Sequence, residues 1–177
     1  MSHLKKILWR NASNVTAEKD INTMAVGEYF ADCTLTSAPV FASTLVDGTQ
    51  VAWRQVNAVV THTSQNPVYK IDISWSTTPI KTGVTCSSAD KAYKVTSRTG
   101  NTLNGSWVSV STLVIGDKVW GYSGSLGGAN LSSTTGSISA SLTDTTSLPT
   151  LYTVQKASPH NVFTVCFMGR MAVSGVI

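Results

Sequence analysis

A chain of 177 residues is long enough for one domain with a hydrophobic core and too short for two of ordinary size. Its charged share of 12% is about half that of an ordinary soluble domain, and Ser, Thr, Gly and Asn abound, which describes a β-rich chain with a neutral surface suited to packing against neighbours. The net charge of +4 arises from bases scattered singly along expected strands; they read as solvated strand faces, and no nucleic-acid patch is expected. Cys33, Cys86 and Cys166 cannot all pair within one chain, so a disulfide scaffold is not expected. No apolar run reaches membrane-spanning length, and the first ten residues lack the apolar centre of a cleaved export signal.

In chain order, residues 1–32 read as an N-terminal arm. Leu4, Ile7 and Leu8 form one small apolar face, Thr16 caps a short helix running to about Met24, Gly27 ends it, and Tyr29 and Phe30 dock the arm on the domain or on a neighbouring copy. From Cys33 onward the pattern is all-β, a single compact domain over 33–177. Pro39–Val46 and Gln50–Val60 flank the Asp47-Gly48 hairpin signal. Tyr69, Ile71, Ile73 and Trp75 alternate with Lys70, Asp72 and Ser74, which predicts one buried and one wet face. Val84–Thr96 is a further β run, the Gly100-Asn101 and Asn104-Gly105 dipeptides mark a hairpin end, and Gly116-Asp117 is a tight turn launching Val119 and Trp120. Residues 123–147, almost all Ser, Thr, Gly, Asn and Leu, read as a flexible loop or a weak hairpin around Ile138, Ala140 and Leu142. Leu151–Ile177 recovers β character. No internal repeat is found.

The chemistry-bearing residues are sparse. His3, His62 and His160 stand too far apart for a zinc-type spacing, so neither a metal nor a cofactor is expected. Gly124–Gly128 lacks the Lys-Ser/Thr ending of a phosphate loop. One order of features stands out. Cys33 is followed by Ala38-Pro39-Val40 and Asp47-Gly48; then come Ser88-Ala89-Asp90-Lys91, Trp107 and Gly116-Asp117; last come Tyr152, His160 and a closing β run.

This order resembles the Hint domain of inteins and hedgehog autoprocessing domains, over nearly all of residues 33–177. The resemblance implies a nucleophilic role for Cys33 and places Ser88-Ala89-Asp90-Lys91 on a Thr-x-x-His block, where Ser88 replaces the threonine and Lys91 the histidine that polarises the scissile peptide. His160 falls on the family's remaining histidine. Val173-Ser174-Gly175 stands where Val-His-Asn is expected, and Gly175 has no carboxamide to cyclise, so protein splicing is not expected. A thioester step at Asp32-Cys33 would need an oxyanion donor and a proton carrier, and lysine is a poor neutral proton shuttle unless burial depresses its pKa. The plain reading of Cys33, as of Cys86 and Cys166, is a small buried apolar residue.

The first functional expectation is therefore a catalytically degenerate Hint-like module with a structural or interaction role. It would be oligomeric or assembly-bound through protein partners or sister subunits, in something such as a virus or phage particle, where decoration, collar or tail proteins are the models. The alternative is self-cleavage at Asp32-Cys33 using Cys33, Ser88, Lys91 and His160. A third reading is a glycan- or ligand-binding β module using Trp53, Trp75, Trp107 or Trp120.

Overall fold

The computed structural model describes residues 6–10, 16–32, 38–40, 52–62, 67–75, 81–88, 90–123, 132–145, 151–156, 162–165 and 173–176. They form β1 (Lys6–Arg10), β2 (Thr16–Asp20), β3 (Tyr29–Asp32), β4 (Ala52–His62), β5 (Val68–Trp75), β6 (Lys81–Ser87), β7 (Lys91–Thr99), β8 (Thr102–Ser109), β9 (Lys118–Ser123), β10 (Ser132–Asp144), β11 (Leu151–Lys156), β12 (Val162–Val165) and β13 (Val173–Val176). The all-β expectation is met. One sheet runs β11-β4-β3-β1-β2, and the other β12-β13-β7-β9-β10-β5-β6, with β8 paired to β7 beside that path.

The alternation in β5 is realised. Ile71 and Ile73 are fully buried while Lys70 and Asp72 are exposed, because β5 lies between β6 and β10 with one face turned to the core. The Gly100-Asn101 hairpin also forms: Thr99 pairs with Thr102, and Arg98 Nε and Nη2 donate to Gly100 O and Asn101 Oδ1, each at 2.7 Å. The Asp47-Gly48 hairpin lies outside the described residues.

Three expectations are corrected. First, the helix expected from Thr16 to Met24 is a strand, Thr16–Asp20, followed by a single 3-10 turn at Ile21–Thr23. An isolated helix of that length is marginal, and here Thr16–Asp20 finds a full antiparallel register against Lys6–Arg10. The first 32 residues thus supply three paired strands, and Ile21, Met24 and Phe30 enter the core. Second, much of the Ser/Thr-rich stretch read as a flexible loop or a weak hairpin around Ile138, Ala140 and Leu142 is one strand, β10, which pairs with β9 on one side and β5 on the other. Its inward positions Thr134, Gly136 and Ile138 are buried, so a period of two was present but carried by small and hydroxylated side chains. Third, the run 84–96 is broken by a turn between Ser87 and Lys91, which separates β6 from β7.

The structure also contains the internal repeat that inspection of the sequence does not find. Ile21-Asn22-Thr23-Met24-Ala25-Val26-Gly27-Glu28 and Val110-Ser111-Thr112-Leu113-Val114-Ile115-Gly116-Asp117 adopt the same local structure. Each opens with a 3-10 turn, and in each the threonine hydroxyl donates to the carbonyl three residues back at 2.7 Å, to Asp20 in one and Ser109 in the other. Each continues through a glycine with φ of 92° at Gly27 and 95° at Gly116, a left-handed backbone that favours glycine because it has no Cβ. Each then docks on a neighbouring strand. Gly27 N–H donates to Val56 O and Val56 N–H to Glu28 O in the first; Gly116 N–H donates to Ile138 O and Ile138 N–H to Asp117 O in the second.

The acid that ends each copy closes the turn. Glu28 Oε1 accepts the Ala25 N–H at 2.7 Å and Asp117 Oδ2 accepts the Val114 N–H at 3.0 Å. Each acid is also paired to a lysine from a strand, Lys19 with Glu28 at 2.6 Å and Lys94 with Asp117 at 2.9 Å. The Trp9 indole N–H donates to Glu28 as well. Burial raises the Glu28 carboxyl pKa, but the Lys19 hydrogen bond, the Ala25 and Trp9 N–H groups and the Lys19 charge outweigh it, holding it below 4.5. Burial likewise raises that of Asp117, and Lys94 with the Val114 N–H outweighs it, holding it below 3.8.

A folded-state pKa below the unfolded value means that the unfolded chain binds more protons in that window, so stability falls as pH falls. The contribution of both acids is present above their ordinary values and is lost as pH drops through the depressed ones. Tm measured from pH 7 to pH 3 is expected to decline below about pH 4.5, and the Glu28→Gln/Asp117→Asn double variant is expected to start lower at pH 7 and decline less steeply. An equally steep acid decline in the variant would contradict this role.

Candidate functional site

Ser88 and Lys91 flank the turn between β6 and β7. The turn is closed by a third acid acting as Glu28 and Asp117 do: Asp90 Oδ2 accepts the Ser87 N–H at 3.1 Å, while Asp90 N–H donates to Ser87 O, also at 3.1 Å. Asp90 is fully buried, and its carbonyl accepts the Val110 N–H at 3.0 Å, which ties the turn to the second repeat copy. Ser88 is exposed, and its carbonyl accepts a hydrogen bond from Ser109 Oγ at 2.9 Å. The Ser87 hydroxyl is buried and has no hydrogen-bond partner among the described residues.

Lys91 opens β7. It sits in register with Ser109 of β8 on one side and Ser174 of β13 on the other, and its side chain is exposed. Strand β13 pairs in turn with β12, and β12 lies against β3. The β12–β13 pair therefore stands between Lys91 and the end of β3, where Asp32 precedes the candidate nucleophile.

Asp32 is only 2% exposed. It pairs across the sheet with Ala52, and Arg54 Nε lies 3.5 Å from its Oδ2. A carboxylate this buried costs several kcal/mol unless a charge or donors face it, and Arg54 supplies the charge. Cys33 and His160 lie outside the described residues, as does Ala89; Ser88 and Lys91 flank one turn, while Asp32 ends a strand of the other sheet.

Sequence reasoning named Ser88 and Lys91 but passed over Asp90, Asp32 and Arg54 as site-building residues. Asp90 carried a signal, since an acid three residues after Ser87 matches the Ser-x-x-Asp/Glu spacing in which a carboxylate reaches back to a backbone N–H. Arg54 carried none, because its partner is 22 residues away and the pairing depends on the β3–β4 register.

Cys86 has the buried core role expected of it. It is fully buried, and burial pushes its thiol up to about 12, so it is neutral and inert at physiological pH. Cys166 lies outside the described residues. Of the tryptophans considered as ligand platforms, Trp120 is 2% exposed and forms an edge-to-face cluster with Tyr93 and Trp107. Trp107 and Trp53 are half-buried, and the Arg10 guanidinium lies 4.8 Å from the centre of the Trp53 ring. The side chain of Trp75 lies outside the description. Among the described residues, no group of three or more His, Cys, Asp or Glu side chains is placed to hold a metal ion, and no helix is long and apolar enough to cross a membrane.

The all-β fold is similar to that of intein and intein-like domains, the Hint fold. Two solved structures carry the likeness. One is the solution structure of a bacterial intein-like domain from Clostridium thermocellum, 11% identical with a TM-score of 0.52, covering 96% of this chain and 98% of that one. The other is the crystal structure of the TvoVMA intein, 13% identical with a TM-score of 0.52, covering 96% of this chain and 94% of that one. No family model matches the sequence, and no curated protein matches it. At these identities the likeness concerns the fold.

Proposed function

We propose that this chain is a Hint-fold module without autoprocessing activity, serving as a structural or interaction subunit of a larger assembly such as a virus or phage particle. The observation that carries the reading is the state of Lys91. It occupies the position that the sequence order assigns to the polarising histidine, yet it is an exposed lysine at the start of a strand paired on both sides. A lysine side chain has no imidazole ring that could take a proton at one nitrogen and give one from the other, the shuttle that an acyl shift requires. The preceding turn supports the same reading, because its Ser87 and Asp90 amides and its Ser87, Ser88 and Asp90 carbonyls are engaged within the fold. In this reading the former reactive strand and hairpin are kept as architecture.

The interaction role draws on composition and on the turn tips. Few charges disfavour close packing of such a surface, and the two repeat copies present Val26 at 73% exposure and Ile115 at 70%, with Val114 beside the latter at 60%. Size-exclusion chromatography with light scattering is expected to give a mass that is a multiple of 18.8 kDa, reduced to that of the single chain by the Val26→Asp/Ile115→Asp double variant. A single-chain mass at every concentration would contradict self-assembly.

A further inference from the structure

Side chains alternate between the two faces of a strand, so register sorts the smaller sheet by face. Arg10 of β1 pairs with Tyr29 of β3, Tyr29 with Gln55 of β4, and Ala31 of β3 with Trp53 of β4, which puts all of them on one face. There three side chains meet. The Arg10 guanidinium carbon lies 4.8 Å from the centre of the Trp53 ring and 5.4 Å from that of the Tyr29 ring, inside the distance at which an aromatic face holds a cation. Arg10, Tyr29 and Trp53 are half-buried, and Ala31, opposite Trp53, is fully buried.

The guanidinium is held in place, but no carboxylate answers its charge. Nε is buried and has no hydrogen-bond partner, and among the described residues Arg10 enters no ion pair. Nη1 and Nη2 donate to no described residue either and are not buried, so this edge of the group faces solvent. The two acids carried by this stretch belong to the opposite face, where Lys19 pairs with Glu28 at 2.6 Å and Arg54 with Asp32 at 3.5 Å. A guanidinium edge offers two parallel N–H donors, the geometry that a carboxylate accepts best. Its planar fork is already positioned by the rings, which lowers the ordering cost of binding. Arginine, tryptophan and tyrosine are also the residues that carry most of the energy in protein interfaces.

We propose that the Arg10, Tyr29 and Trp53 cluster is a docking point for an acidic segment of a partner protein, with an aspartate or glutamate carboxylate of the partner seated on the Nη1 and Nη2 edge of Arg10. Charge singles out this occupant. The chain carries +4 net, which disfavours a second copy and favours an acidic partner. Nucleic acid would need several bases along a phosphate track, whereas one oriented fork suits one carboxylate. The proposal rests neither on Lys91 nor on self-assembly, so a single-chain mass in light scattering would leave it standing.

The test titrates the full chain, labelled with ¹⁵N, with an end-blocked tetraglutamate peptide, and separately with the matching tetraglutamine peptide and with a short oligothymidylate, at constant ionic strength set by chloride. Expected with tetraglutamate alone are saturable shifts of the Arg10 Nε–H signal and of the Arg10, Tyr29 and Trp53 amides. Arg10→Gln is expected to weaken binding roughly tenfold or more, and Arg10→Lys, which keeps the charge and loses the fork, to fall between it and the unaltered chain. Lys118→Gln, which removes an exposed charge from the larger sheet, is expected to leave the affinity unchanged. Shifts that do not saturate or that spread evenly over the basic residues would overturn the proposal, as would equal saturation by tetraglutamine, saturation by oligothymidylate in place of tetraglutamate, or equal losses in Arg10→Gln and Lys118→Gln. The map of the unaltered chain locates the site by itself, so it decides the matter even where an Arg10 variant fails to fold.

Discussion

Replacing Trp120 by Ala is expected to destabilise the fold by about 3–5 kcal/mol, the range for deleting a large buried aromatic, and to leave the protein unfolded or close to it at 37 °C. The indole is 2% exposed and meets Tyr93 at 6.1 Å and Trp107 at 6.4 Å between ring centroids, with interplanar angles of 78° and 75°. Edge-to-face pairs of this kind add about 0.5–1.5 kcal/mol each beyond burial. Trp120 also sits on β9, the strand joining β7 to β10 in the larger sheet, so the void would open where two strand pairs meet. Trp120→Phe retains an aromatic ring and is expected to lose less than half as much. Urea unfolding followed by far-UV circular dichroism measures both; a loss under 1 kcal/mol for the alanine variant would contradict the core role.

The second large effect is expected at Gly105. A Cβ built there would lie 1.9 Å from the Lys94 carbonyl oxygen and 2.9 Å from its carbon. Both are backbone atoms of the adjacent strand, so no side-chain rotation relieves the clash and β7 must move away from β8. Overpacking of a well-packed interior costs about 1–3 kcal/mol and occasionally more, and a strand-to-strand clash belongs at the upper end, about 3 kcal/mol. The damage reaches further than stability, because Gly105 pairs with Val95, beside the register shift between Val95 and Ser97. Gly105→Ala is expected to lower the urea midpoint and to shift the Thr96 and Ser97 amides, whereas an unchanged midpoint would mean that the β7–β8 spacing is not fixed there.

What the sequence disclosed of this fold follows from which physical signals are local. The alternation around Ile71 and Ile73, the Gly100-Asn101 turn and the Gly116-Asp117 turn are short-range patterns, and all three form. Thr16–Asp20 misled because its local helix signal is weak and a cross-strand register with Lys6–Arg10 outweighs it. β10 was hidden because its buried positions include Thr134 and Gly136, side chains that composition assigns to loops. The repeat was hidden because its copies share the chemistry of Ile/Val, Met/Leu and Glu/Asp positions, with only Thr23/Thr112 and Gly27/Gly116 identical.

The candidate site was legible in the same uneven way. Ser88 and Lys91 could be placed by the order of motifs, and the structure sets them around one tight turn. Asp32 could not be foreseen as a buried carboxylate, since nothing near it in sequence says that Arg54 will face it. The turn-closing acids Glu28, Asp90 and Asp117 share a spacing of three from the amide they accept. Of the three, only Ser87 with Asp90 matches the Ser-x-x-Asp/Glu spacing; Ala25 and Val114 stand at that position before Glu28 and Asp117 and give no such signal.

The central claim is that the Asp32-Cys33 peptide bond stays intact. Its most direct test is intact-mass spectrometry of the freshly purified chain over a day at 25 °C, with and without a small thiol that would intercept a thioester, alongside Cys33→Ala. The account predicts one species at the full-chain mass in every sample. Fragments corresponding to residues 1–32 and 33–177 that accumulate with thiol and vanish in Cys33→Ala would contradict it.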